Sequence, residues 1–243
     1  MKKSELYSFE SIWSHSGLKE FIQKEGKFTS YYAPFCIYPL SSPVFGKGKF
    51  SEEDIESLEF HFKKKRKGQK PFILFEGKVD LKNWEKKGYQ AREMNVCYLS
   101  KCSKKPELPK GFSFEVIKFS TLKGKNIYRE VACSVFGLDE KFLTGFHKLC
   151  EKMSPSNYLI VVYNPGKVPV ACAGVACFKK VCFLHSVCVL LRYQGKGISN
   201  WLMSKALNIA SPLKSKSLIY TSSNMRMIGQ ANSVKNLIYI YQT

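Results

Sequence analysis

Val189-Leu-Leu-Arg-Tyr-Gln-Gly-Lys-Gly-Ile-Ser-Asn-Trp-Leu202 is the stretch on which the reading of this chain turns. It leaves an apolar run, Val181 to Leu191, that reads as a strand. It enters a segment, Ile198 to Ala210, in which Ile198, Trp201, Leu202, Ala206 and Ile209 share one helical face. Two glycines at a strand-to-helix junction let the backbone turn tightly and approach a ligand without Cβ clashes. The free N–H groups of the first helical turn, with the positive end of the helix dipole behind them, suit a phosphate or pyrophosphate. Lys196 adds a mobile positive charge. The spacing is neither the GxxxxGK[ST] of a P-loop nor the GxGxxG of a dinucleotide fold, and no acidic residue follows to hold a ribose.

Working outward, Phe112–Phe119 alternates like a strand, and Leu122–Met153 is a long helical stretch broken near Gly137. Tyr158–Asn164 turns through Pro165-Gly166-Lys167 into Val168–Phe178, a hairpin signal. After the helix, stopped by Ser211-Pro212, Lys216–Ser223 and Asn236–Thr243 read as strands. A Lys- and Pro-rich seam, Lys101–Phe112, separates this part from an earlier one. There Ser51–Lys65 is a helix with Ser51 as N-cap and acids in its first turn. Pro71–Gly77 is a strand, Asp80–Tyr89 a short helix ending at Gly88, and Gln90–Ser100 a strand. Both parts end on strand, short segment, strand. That order suggests a divergent internal duplication, with halves at 1–105 and 111–243.

The pattern from Val189 to Leu202 resembles motif A of the GNAT superfamily of acyl-CoA N-acyltransferases, whose loop reads [QR]-x-x-G-x-[GA]. Gln194-x-x-Gly197-x-Ser199 fits it, with Ser departing at the last position; Arg192-x-x-Gly195-x-Gly197 also fits the letters. The first register is preferred because it buries Ile198 and Leu202. The element order across 112–243 is similar to this family. The segment Ser51–Leu99, with Trp84-x-x-x-Gly88-Tyr89, looks like the last helix and strand of a second such unit, and no glycine loop is visible there. The resemblance therefore implies a tandem GNAT protein with a degenerate, cofactor-free N-terminal half.

The fold so implied is α+β: a mixed, mostly antiparallel sheet flanked by helices, in two pseudo-repeated halves, whose central strands splay apart. The donor is expected to be acetyl-CoA, its pantetheine arm along Val187, Cys188 and Val189 and its pyrophosphate on Gln194, Gly195, Lys196, Gly197, Ile198 and Ser199. Asn224 is expected near the pantetheine. The acceptor is an amine (small molecule, peptide or protein), attacked directly with no covalent intermediate. It must lose a proton to attack the thioester. No carboxylate follows Glu151, so a base from the motif-bearing segment is either His185, on the motif strand, or a relayed water, with Glu130, Asp139 and Glu140 as runners-up. The Tyr that the family commonly places in its last helix is missing from Met225–Val234, and Tyr220 is its substitute by position.

Composition bounds these readings. The 243 residues carry a formal charge of +20, and of the 39 basic residues only five are Arg. Arg is the usual reader of base edges, so the Lys excess argues against sequence-specific nucleic-acid binding. Residues 1–110 hold 22 basic and 14 acidic side chains, whereas 152–243 hold eleven basic and none acidic. The excess thus concentrates around the proposed CoA site. Lys63–Lys67 has the letters of a nuclear-localisation cluster, but it also forms the dipole-favoured last turn of a helix, and the second reading is preferred. Cys172, Cys177, Cys182 and Cys188 are spaced by five, five and six, without the pairs of a zinc site, so buried reduced thiols are expected and no metal. The start, MKKSELYSFE, lacks the apolar core of a secretory signal, and Val168–Leu191 is interrupted by Lys179-Lys180 and His185. A cytoplasmic protein with no membrane partner is expected. Two other readings stay open: a non-catalytic acyl-CoA sensor or scaffold, and a basic nucleic-acid binder.

Overall fold

The computed structural model describes residues 12, 22–31, 43–65, 72–76, 79–99, 106–154, 156–178, 182–211, 218–222, 231 and 233–242. Their strands form one sheet. In chain order the elements are β1 (Ile22–Glu25), β2 (Phe28–Tyr31), β3 (Val44–Gly46), α1 (Glu52–Lys65), β4 (Phe72–Glu76), α2 (Lys82–Lys86) and β5 (Tyr89–Leu99). Then come β6 (Ser113–Lys118), α3 (Leu122–Tyr128), a π-helical turn (Arg129–Cys133), α4 (Ser134–Phe136), α5 (Glu140–Met153), β7 (Ser156–Tyr163) and β8 (Pro169–Cys177). The chain closes with β9 (Cys182–Val189), a 3₁₀ turn (Leu191–Tyr193), α6 (Ile198–Ala210), β10 (Leu218–Ser222) and β11 (Ser233–Gln242).

The strand order is β1-β2-β3-β4-β11-β5-β10-β9-β8-β7-β6. All pairings are antiparallel except β3 with β4 and β9 with β10. Each parallel pair is joined through one helix, α1 or α6. The mixed, mostly antiparallel sheet expected from the sequence is present, and the strand–helix–strand unit occurs twice. The strands β1 to β3 stand beyond those that the sequence pattern marks. They run for only three or four residues, and Gln23, Lys24 and Thr29 dilute their alternation.

The two parts of the chain exchange strands. β11, from the C-terminal part, sits between β4 and β5, while β5, from the N-terminal part, sits between β11 and β10. The Lys- and Pro-rich seam at 101–112 in the sequence therefore separates halves of the chain but not of the sheet.

Helices cover both faces. On one, Ile198, Leu202, Met203, Ala206 and Ala210 of α6 pack against Ala171, Ala173, Val175, Leu184 and Leu218. On the other, Ile127, Tyr128, Val131, Leu143 and Cys150 pack against Leu159, Val161, Cys172 and Cys188. A third cluster joins the halves, with Leu74, Val96 and Tyr98 meeting Leu149, Ala176 and Ile219. Trp84 anchors the N-terminal core in edge contacts with Phe28, Phe50, Phe75 and Tyr89.

Candidate active site

Among the described residues, strands β9 and β10 pair at Cys182–Leu218 and Phe183–Ile219 alone. Beyond those two steps they part, so β9 from Leu184 onward has no neighbour on that edge among the described residues. Unpaired strand edge presents backbone N–H and C=O groups to whatever enters the gap. Val187 is half-buried beside the gap, whereas Cys188 and Val189 turn their side chains into the two cores. Tyr220 is the first residue of β10 past the split, its backbone paired with Cys97 of β5.

The glycine loop closes one end of the gap. Gly195 and Gly197 have φ of +79° and +77°, and a Cβ at either would meet nothing within 4 Å. Their glycine character is thus demanded by the left-handed backbone rather than by crowding. Gly197 caps α6 without a side-chain hydrogen bond, and the first helical bond runs from Trp201 N–H to the Gly197 carbonyl. The N–H groups of Ile198, Ser199 and Asn200 accordingly have no intrahelical acceptor, the arrangement that receives anions. Ile198 and Leu202 are buried, as the first of the two registers requires. Gln194 donates from Nε2 to the Val189 carbonyl at 3.0 Å and so ties the loop to the motif strand. Lys196 and Arg192 both lie over the Tyr193 ring, at 5.7 and 5.0 Å, and Asn164 donates to the Tyr193 hydroxyl at 2.8 Å.

The equivalent junction in the N-terminal half, between β3 and α1, also contains glycines, Gly46 and Gly48, which the sequence reading overlooked. There the helix start is closed by its own side chains. Ser51 Oγ accepts from Asp54 N–H at 3.2 Å and Asp54 Oδ2 accepts from Ser51 N–H at 2.8 Å. Glu52, Glu53 and Asp54 crowd the same turn with negative charge. A phosphate would meet these carboxylates there, and two of the N–H groups at this helix start are already engaged.

His185 lies on β9 just past the split. Opposite it, between Cys172 and Gly174, the β8–β9 register slips by one residue, and Ser186 in the bulge has φ of +53°. The imidazole lies over Gly174, where any Cβ would collide with it. Phe119, Phe146 and Phe183 surround the ring at centroid distances of 5.9 to 6.1 Å. Burial pushes its pKa down to about 4, so the ring is neutral at physiological pH. Its Nε2 faces Asn157 Oδ1 at 3.3 Å and its Nδ1 faces Ser186 Oγ at 3.2 Å, which in turn meets the Tyr128 hydroxyl at 2.9 Å. Burial raises the Tyr128 pKa and keeps that hydroxyl protonated.

The other acid–base candidates are engaged elsewhere or exposed. Asp139 caps α5 by accepting from Phe142 N–H at 2.7 Å, Glu140 pairs with Arg129 at 2.8 Å, and Glu130 is exposed. Asn224 lies outside the described residues, as do residues 66–70 beyond the end of α1. Cys172 faces Cys188 and Cys177 faces Cys182 across the β8–β9 hairpin, with sulfur separations of 3.4 and 2.7 Å. All four are buried and outside any disulfide; the pKa of Cys172 and of Cys177 is raised by its partner's hydrogen bond and by burial.

Residues 126–229 match the acetyltransferase (GNAT) family. The chain carries a GNAT acetyltransferase-family domain. That match spans the bulge, the split and the glycine loop. No curated protein matches the sequence. Among solved structures, the GNAT fold recurs in a GCN5-related N-acetyltransferase from Kribbella flavida, 12% identical, with a TM-score of 0.68 over 93% of this chain and 91% of that one. A conserved protein of unknown function from Staphylococcus epidermidis, 13% identical, gives a TM-score of 0.71 over 98% of each chain. A tandem GNAT protein from the clavulanic acid biosynthesis pathway, 9% identical, gives 0.56 over 82% of this chain and 74% of that one. At these identities the likeness is one of fold. Family and fold together support acyl transfer from an acyl-CoA donor. No helix among the described residues is long and apolar enough to cross a membrane.

Proposed function

We propose that the protein is an N-acetyltransferase that moves an acetyl group directly from acetyl-CoA to an amine. The observation that carries this reading is the parting of β9 and β10 after Phe183–Ile219, beside a helix start with unengaged N–H groups. In this reading the pantetheine arm runs along Val187, Cys188 and Val189. The pyrophosphate rests on Gln194 to Ser199, with Asn224 beside the arm. Lys196 and Arg192 supply charge for phosphates, and no acidic residue in the last 92 opposes them. A backbone N–H of β9 would stabilise the oxyanion of the tetrahedral intermediate. His185 serves the acceptor's proton and Tyr220 stands near the leaving thiolate. The N-terminal half, divided from the rest at about residues 105 to 111, holds no cofactor. The capped start of α1 supports that assignment. The buried cysteines, none of the described ones in a disulfide, favour a reducing compartment, the cytoplasm.

One observation favours a second reading, a non-catalytic acyl-CoA sensor. The chain has no carboxylate after Glu151, and the one histidine on the motif strand is a weak base. Thermal stabilisation by acetyl-CoA, with Gly197→Glu as control, tests the shared binding claim, since a ligand of the native state raises its melting point. Thiol release against a panel of amines then separates the two: release establishes the enzyme, and silence over a broad panel establishes the sensor.

A further inference from the structure

The hydrogen bonds around His185 run in a single direction. Asn157 donates from Nδ2 to the Cys150 carbonyl at 3.3 Å, which turns its Oδ1, an acceptor only, toward His185 Nε2. Nε2 therefore carries the proton of the neutral ring, and Nδ1 holds a lone pair. Ser186 donates its hydroxyl to that lone pair, and Tyr128 donates its own to Ser186. The Ser186 oxygen keeps one lone pair uncommitted by this chain. Ser186 is half-buried, on the bulge of the strand whose edge lines the gap, whereas Tyr128 and Asn157 are buried behind it.

We propose that Ser186 is a catalytic residue that carries the acceptor's proton to His185 and back to the leaving thiolate, with Tyr128 and Asn157 as positioning residues. This rests on the acyltransferase reading above. The neutral amine nitrogen bonds to the thioester carbonyl carbon. Its proton passes to the Ser186 oxygen as the Ser186 hydroxyl proton passes to His185 Nδ1. The imidazolium so formed is held through Nε2–H by Asn157 Oδ1. When the carbon–sulfur bond breaks, the electron pair goes to sulfur, and the proton returns from Nδ1 through Ser186 to the thiolate. The products are an amide and free CoA, and no other reactant is consumed. A buried imidazolium is a strong acid, well suited to the second transfer. One relay thereby serves both steps, which accounts for an active chain with no tyrosine in Met225–Val234.

The test uses the full-length protein, acetyl-CoA and the amine panel. Ser186→Ala and His185→Gln should each keep the thermal shift with acetyl-CoA and lose about 10²-fold or more in kcat. The double variant should lose no more than the worse single one, because a relay fails as a unit. Should Ser186→Ala fail to fold, Ser186→Asn removes the hydroxyl while tolerating the left-handed backbone. Donor binding with kcat within about threefold of wild type in the Ser186 variant overturns the relay, as do losses that multiply in the double variant. Wild-type protein that releases no thiol with any amine overturns the acyltransferase reading itself, and the relay with it.

Discussion

The imidazole of His185 fills the space that Gly174 leaves by having no side chain, directly across the β8–β9 ladder. The ring's position, its hydrogen bonds and the bulge at Ser186 form one packed unit, so a single methyl group on β8 should disturb all three. Gly174→Ala is expected to cost about 1–3 kcal/mol by overpacking. Chemical denaturation would measure the loss, and the His185 ring resonances would report displacement. An alanine variant as stable as wild type, with unchanged resonances, would refute this.

Lowering the pH should weaken the fold through His185. Its folded pKa is about 4 against an ordinary 6.5, so between those values the unfolded chain binds the extra proton. The contribution is fully present above about pH 6.5 and is lost as the pH falls toward 4. His147, whose pKa burial also lowers, acts in the same direction. Unfolding free energies at pH 7.5 and 4.5 should differ less in His185→Gln than in wild type. Equal differences would show that the ring is not held neutral.

The loop before α6 is open, so substitution there should harm binding more than folding. Gly197→Ala meets no atom within 4 Å but must adopt φ of +77°, at a cost of about 1 kcal/mol. Gly197→Glu adds a negative charge where phosphates are expected and should abolish the acetyl-CoA thermal shift. An undiminished shift in the glutamate variant would move the phosphate site elsewhere.

The matching junction in the N-terminal half predicts the opposite pattern. Ser51→Ala removes the cap that Asp54 N–H uses and should cost about 1 kcal/mol of stability. Acetyl-CoA affinity, measured by calorimetry, should not change. A weaker affinity would mean that the N-terminal half takes part in donor binding.

Exchange of β5 and β11 makes each half depend on the other. Expressed separately, residues 1–105 lack the strand between β4 and β5, and residues 111–243 lack the strand between β10 and β11. Neither fragment should give a dispersed amide spectrum alone, and mixing or co-expression should restore one. A well-folded isolated C-terminal fragment would refute this dependence.

Much of the architecture follows from local pattern. The face spacing of Ile198, Leu202 and Ala206 sets α6, Ser51 and the acids after it start α1, and the apolar runs 158–164 and 181–191 set the central strands. Those signals live within a turn or two of chain, where periodicity and capping act. The glycine loop is legible for the same reason, since a left-handed turn before a helix needs glycine wherever it is placed. His185 could be named from the sequence, but its surroundings could not. Asn157, Ser186 and Tyr128 come from β7, β9 and α3, and only packing of α3 and α5 on the sheet brings them to the ring. Gly46 and Gly48 carry almost the same letters as the C-terminal loop; the difference lies in Ser51 and Asp54, which engage two of the helix-start N–H groups internally and add negative charge. Strand exchange left no local trace at all. Pairing partners of β5 and β11 are chosen by backbone hydrogen bonds across the whole sheet, and no stretch of sequence encodes them by itself.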